Sequence, residues 1–157
     1  MPVAEENNIK LVAHPDDPPV KNMRGTARLF YRTEEYEKLL NLYDSPSNGF
    51  ELCMGTVQEM EGSNLLDFLD NYSRLDKIGY IHYRNVIGKV PHYREAFVDE
   101  GDINMIKALE ILKNNNYDGI IVPDHTPEMS CDAAWHAGMA FAMGYMKGAL
   151  QSVENYT

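Results

Sequence analysis

The sequence predicts an α/β domain with parallel strands. Three observations carry this. Short apolar runs alternate with stretches of helical periodicity four times along the chain. Each apolar run contains or ends in a residue able to bind a metal. No glycine-rich phosphate loop follows the first run. A repeated β-α order implies parallel strands joined by right-handed crossovers.

The first strand is expected over residues 8–14, where Ile9, Leu11, Val12 and Ala13 make a short apolar run. It ends in Pro15-Asp16-Asp17-Pro18-Pro19, a loop sequence. A helix follows over 33–43, with Tyr36, Leu39, Leu40 and Tyr43 at helical spacing on one face. Thr33 can cap it, and Glu34 and Glu35 suit the positive end of its dipole. The turn signal Ser45-Pro46-Ser47-Asn48 precedes a second strand over 49–54. Leu65, Phe68, Leu69 and Tyr72 mark the next helical face. A third strand is expected over 78–83, and the segment around His92 reads as a loop. Met105, Ala108, Leu109 and Leu112 mark a third helix, with Asp102 as its cap and Asn114-Asn115-Asn116 as its end. Ile120-Ile121-Val122 is unalternating and β-branched, as in a strand buried on both faces. The last helix is expected over 133–150.

Two architectures accommodate this order, an open doubly wound sheet or part of a (β/α)8 barrel. The missing phosphate loop counts against the first. The units run to about 39 residues each, so eight would make about 314, within the usual range of a full barrel.

Composition narrows the function classes. The chain has 157 residues, 44% hydrophobic and 24% charged, with a net charge of −10. This suits a soluble globular domain. No apolar run reaches membrane-spanning length, and no basic cluster could neutralise a phosphate backbone, so neither a membrane nor a nucleic acid is the expected partner. The acidic start has no apolar core of a signal peptide. With only Cys53 and Cys131, reduced thiols in the cytoplasm are expected.

The polar residues at the strand ends carry the functional argument. The first strand ends at His14, the second at Cys53, the third contains His82, and the fourth leads into Asp124 and His125. In a parallel barrel all these ends meet on one face, where active sites lie. Two imidazoles, a thiolate and a carboxylate form a complete donor set for a divalent transition metal. Each residue alone has a plainer reading: a satisfied polar histidine, a packed cysteine, a helix-capping aspartate. Four such residues at four successive strand ends favour one shared site.

The same residues carry a family resemblance. His14-Pro15-Asp16-Asp17-Pro18, Arg24-Gly25-Thr26, Cys53-Met54-Gly55-Thr56, Ile81-His82-Tyr83-Arg84-Asn85 and Pro123-Asp124-His125 resemble segments of the mannonate dehydratases. So do Val90-Pro91-His92-Tyr93-Arg94-Glu95 and Glu100-Gly101-Asp102. The resemblance runs from about Asn8 to Lys147. It implies a xylose-isomerase-like (β/α)8 barrel, of which this chain would be the C-terminal half. It implies dehydration of D-mannonate to 2-keto-3-deoxy-D-gluconate in hexuronate (glucuronate) catabolism, with Mn2+, or Fe2+ or another divalent metal, as cofactor. By the resemblance His14, Cys53, His82 and Asp124 are the ligands, His125 is an acid/base, and Arg84 and Asn85 hold the sugar acid. A thiolate donor by itself would point to zinc or iron.

Dehydration removes a weakly acidic C2 proton and expels a C3 hydroxyl, so it needs a base and an acid. His125 can serve as either near neutral pH. His136, Tyr83 and Tyr93 are candidates for the second role. His92 and Arg94 could contact the substrate carboxylate, or lie exposed. Arg24 and Arg28 read as surface charges or anion-binding groups. Cys131, Trp135 and the Met139, Met143 and Met146 series read most simply as structural. Half a barrel would leave two sheet edges unpaired. Association with another copy or with a missing N-terminal half is therefore expected. The alternatives are a sugar isomerase or epimerase on the same barrel, and a barrel fragment without catalysis.

Overall fold

The computed structural model describes residues 1–155. Its elements are α1 (Pro2–Glu6), β1 (Leu11–Ala13), β2 (Asn22–Met23), β3 (Thr26–Ala27), α2 (Glu34–Leu42), β4 (Asn48–Cys53) and α3 (Met54–Glu59). There follow α4 (Leu65–Arg74), β5 (Ile78–His82), β6 (Asn85–Lys89), β7 (His92–Ala96), α5 (Met105–Asn114), β8 (Ile120–Val122) and α6 (Ala134–Asn155). The four expected strands form one sheet in the order β1-β4-β5-β8, all parallel. Each strand neighbours its predecessor, so the winding never reverses. A doubly wound sheet reverses at a switch point, and this sheet has none among the described residues. None of the described helices is long and apolar enough to cross a membrane.

The sheet has two unlike faces because successive side chains alternate. Phe50 and Leu52 of β4 and Ile81 of β5 turn towards the helices and are fully buried. There they join Tyr36 of α2, Phe68 and Leu69 of α4, Leu109 of α5 and Met146 of α6 in one core. Its centre is aromatic. Tyr36 stands edge-on to Phe50 at 4.8 Å and to Phe68 at 5.0 Å, and Phe50 meets Tyr72 at 5.1 Å. Edge-to-face pairs of this kind add to the area they bury. Glu51, Cys53 and His82 lie on the opposite phase.

Local chemistry sets the helix ends. Asn64 caps α4, accepting from Asp67 N, and Asn104 caps α5, accepting from Lys107 N at 2.9 Å. The expected α5 cap, Asp102, instead accepts from Gly88 N at 2.8 Å and pins the β6–β7 turn. Gly88 suits that turn, with a positive φ of 89° and the His92 carbonyl 2.5 Å from where a Cβ would stand. Thr33 precedes α2 without a side-chain cap bond. The buried Asn48 closes the other end of α2, donating to Leu39 O and Tyr43 O at 3.0 Å each.

Six elements were not expected: α1, the short strands β2 and β3, α3, and β6 and β7. Helix α3 begins directly after Cys53. The segment read as a loop around His92 is the antiparallel hairpin β6–β7. Phe50→Ala should empty the aromatic centre and cost about 3–5 kcal/mol. Urea denaturation should show the midpoint falling accordingly.

Candidate metal centre

Strand phase brings the expected ligands together. Cys53 pairs with His82, and His82 with Val122, in adjacent parallel strands. A register shift between Phe50 and Glu51 makes this possible. Phe50 faces Ile78 but Glu51 faces Tyr80, so Gly79 is an extra residue, a bulge. A Cβ on Gly79 would stand 2.2 Å from Val12 Cγ1. Only glycine lets β1 and β5 approach so closely there.

Two overlapping clusters result, His14–Glu51–His82 and Cys53–His82–Asp124, each with its donor atoms within 4.8 Å of one another. His82 Nδ1 lies 3.4 Å from Asp124 Oδ2 and 3.2 Å from Glu51 Oε1. His14 Nε2 lies 3.4 Å from Glu51 Oε2. The two rings stand 5.3 Å apart. His14 Nδ1 donates to Pro15 O at 2.6 Å, which fixes the proton on that nitrogen because a carbonyl only accepts. In the neutral ring Nε2 is then a bare lone pair.

These groups fit a divalent metal. Glu51 Oε2 and His82 Nδ1 are buried without a hydrogen-bond partner. An unpaired buried polar atom is costly, and a cation is what nitrogen and carboxylate lone pairs share. Burial, with the Asp124 charge, pushes the Glu51 carboxyl up to about 8. Burial likewise pushes the Cys53 thiol up to about 11, opposed by Arg84. Burial also lowers the His82 imidazole, so the neutral, ligating form prevails. The sequence reading missed Glu51. Its signal was a charged residue within an apolar strand, two positions before Cys53 and so on the same face.

Arg84 lies beneath the cluster. Its side chain is 1% exposed and all its nitrogens are engaged. It donates to Cys53 Sγ at 3.1 Å, Thr56 Oγ1 at 3.1 Å, Glu59 Oε1 at 3.0 Å, Glu95 Oε2 at 2.9 Å and the Asp17 carboxylate. Asp124 Oδ2 lies 3.7 Å from its Nε. A donor to the sulfur favours the thiolate a metal requires. Asp17 is delivered by the loop after β1. Asp16 shapes that loop, accepting from Leu29 N at 2.7 Å, Phe30 N at 2.8 Å and Arg28 Nε at 2.6 Å. Arg28 is thereby tied into the loop, while Arg24 is exposed at a turn with φ 50°.

The other sequence candidates divide. His125 joins the cluster, half exposed, with Nδ1 3.3 Å from Glu95 Oε2 and Nε2 3.4 Å from Asp124 Oδ2. The Glu95 hydrogen bond raises its pKa. Tyr83 is not brought to the cluster. Its ring is in the helix-side core and its hydroxyl donates to Met105 O at 2.9 Å. Asn85 is also buried, its amide donating to Val98 O at 3.1 Å and Ile103 O at 3.0 Å while Oδ1 accepts from Ile103 N and Val86 N. On β7, alternation sends Tyr93 and Glu95 to the site, Tyr93 donating to Asp17 Oδ1 at 3.3 Å. His92 and Arg94 occupy the opposite phase and are exposed. His136 is exposed at the start of α6, edge-on to Trp135. Asn85→Ala should strand several buried backbone groups and cost about 1–3 kcal/mol for each one left unpaired. Thermal denaturation should show the loss with or without metal present.

Comparison with known proteins places the chain in a family. The family profile described as D-mannonate dehydratase (UxuA) matches residues 1–157. The mannonate dehydratase of Lactococcus lactis subsp. cremoris (strain MG1363) is 35% identical over 130 residues, which are 80% of this chain and 36% of that protein. The crystal structure of mannonate dehydratase from Streptococcus suis serotype 2 superposes with a TM-score of 0.87 at 27% identity, over 99% of this chain and 46% of that one. A xylose isomerase domain protein from Alicyclobacillus acidocaldarius shares the fold, with a TM-score of 0.72 at 12% identity over 96% of this chain and 54% of that one. The chain thus spans about a third of the length of the curated relatives it matches. With its profile match running from end to end, the chain belongs to the D-mannonate dehydratase (UxuA) family.

Proposed function

We propose that this chain is the metal-binding, C-terminal half of a (β/α)8 barrel that dehydrates D-mannonate to 2-keto-3-deoxy-D-gluconate in the cytoplasm. The observation that carries the reading is the convergence of His14, Cys53, His82 and Asp124 on one sheet face, where Glu51 Oε2 and His82 Nδ1 lack other partners. These four residues would hold the metal, with Mn2+ as the proposed ion. When bound, a divalent cation supplies the Lewis acidity that offsets charge developing on the sugar acid as its C2 proton leaves.

The chain's own residues supply the proton handling. With His125 Nδ1 hydrogen-bonded to Glu95, Nε2 is the ring atom that exchanges a proton with substrate. Glu95 orients the ring and stabilises its charged form. Half exposure leaves the ring accessible to a sugar acid. The second proton transfer, at the departing C3 hydroxyl, is assigned to Tyr93 or His136. Arg84, enclosed by its partners, acts from beneath by ordering Cys53 and Asp124.

The proposal extends to assembly. β1 and β8 are the sheet's edges, and Leu11 and Ile120 on them are 49% and 67% exposed. Unpaired apolar edges favour association, here with a second copy or with the complementary barrel units. Sedimentation at micromolar concentration should show a species larger than one chain, and a compact monomer would defeat this part. Elemental analysis should find about one divalent ion per chain, lost in a Cys53→Ala, His82→Ala double variant. The loaded protein should then convert D-mannonate. No metal above the double variant's background would sink the metal reading. Metal without turnover would leave a non-catalytic half, and turnover of aldoses or ketoses instead would select an isomerase or epimerase.

A further inference from the structure

We infer that Glu51 is a fifth protein donor to the metal centre, closing its floor through Oε2. This rests on the proposed metal reading and adds a second carboxylate to the ligand set.

Glu51 is 0% exposed and sits on the inner phase of β4, between the two histidines. Its carboxylate is aimed by one bond, in which His82 N donates to Oε1 at 3.3 Å. That leaves Oε2 free of any hydrogen bond. His14 Nε2 lies 3.4 Å from Oε2, and it carries no proton in the neutral ring because Nδ1 donates its own to Pro15 O. On the other flank His82 Nδ1 is equally without a donor. Two acceptor atoms, Glu51 Oε2 and His14 Nε2, therefore face each other beside the unpartnered His82 Nδ1. One proton joins only that pair, whereas a divalent cation takes both lone pairs and, in the tautomer protonated on Nε2, that of His82 Nδ1 as well. Arg84 does not relieve Glu51, since its guanidinium donates to Cys53, Thr56, Glu59, Glu95 and Asp17 instead.

The donor set then holds two imidazoles, one thiolate and two carboxylates. The added oxygen shifts the preference of a sulfur-containing site towards a harder ion such as Mn2+, relative to Zn2+. This makes Glu51 a determinant of metal selectivity.

The test compares Mn2+ and Zn2+ affinities of the purified chain and its E51Q variant by chelator competition. Glutamine keeps shape and volume but removes the charge. The expected result is a fall of tenfold or more in Mn2+ affinity with a smaller fall for Zn2+. If wild type binds Mn2+ and E51Q binds it within twofold, the inference is overturned while the metal reading stands. If wild type binds neither ion, both fall. A structure of the wild-type chain with Mn2+ needs no variant: Glu51 Oε2 within coordination distance supports the inference, and a carboxylate turned away from the ion overturns it.

Discussion

The buried guanidinium of Arg84 is the tie on which the site depends. Removing such a charge from water costs several kcal/mol, recovered only through good geometry and many partners. Arg84 has them. Asp17 comes from the loop after β1, Thr56 and Glu59 from α3, Glu95 from the β6–β7 hairpin, Cys53 from the end of β4 and Asp124 from beyond β8. Four separate pieces of chain are thereby fixed around one planar fork, the end of β4 and α3 counting as one. Four of these partners are carboxylates, so the neighbourhood keeps an excess of negative charge. Burial, only partly offset by Arg84, holds the Glu59 carboxyl up to about 7. Excess acceptors beside two imidazoles are the setting a divalent cation answers.

The second constraint is the phase of the sheet. Helices cover one face through Phe50, Leu52 and Ile81, and the other face collects Glu51, Cys53 and His82. The Gly79 bulge aligns β5 with β4 so that His82 stands opposite Cys53. Were Gly79 paired as an ordinary strand residue instead of bulging, alternation would carry His82 into the apolar core and Tyr83 towards the candidate ligands. The same alternation explains the division on β7. Tyr93 and Glu95 serve the site while His92 and Arg94 face away, although all four adjoin in sequence.

Much of this was legible beforehand. Tyr36, Leu39 and Leu40 announced α2, and Met105, Ala108, Leu109 and Leu112 announced α5, because a helix that buries one face must repeat its apolar residues at that spacing. His14, Cys53, His82 and Asp124 were legible because each closes or follows a strand, and parallel strands send their C-terminal ends to one side. The hairpin was not legible. Asn85–Lys89 and His92–Ala96 mix glycine, charge and apolar residues, and Asp102, which accepts from Gly88 N at their turn, comes from later in the chain. The family resemblance implied that Arg84 and Asn85 hold the sugar acid. Whether such a side chain faces the ligand or the interior is settled by partners distant in the chain.

By itself, the sequence determined the order of the four β-α units, the parallel arrangement of their strands and four candidate ligands at the strand ends. These follow from local periodicity and from the geometry every β-α unit shares. Tertiary structure alone decided which side chains converge. It turned Tyr83 and Asn85 inward to serve the fold, enclosed Arg84 among carboxylates, and brought Glu51 between two histidines. The physical reason is that burial and pairing are properties of neighbours in space. A glutamate in a strand is an ordinary polar residue until the strands on either side deprive it of water and set lone pairs against it.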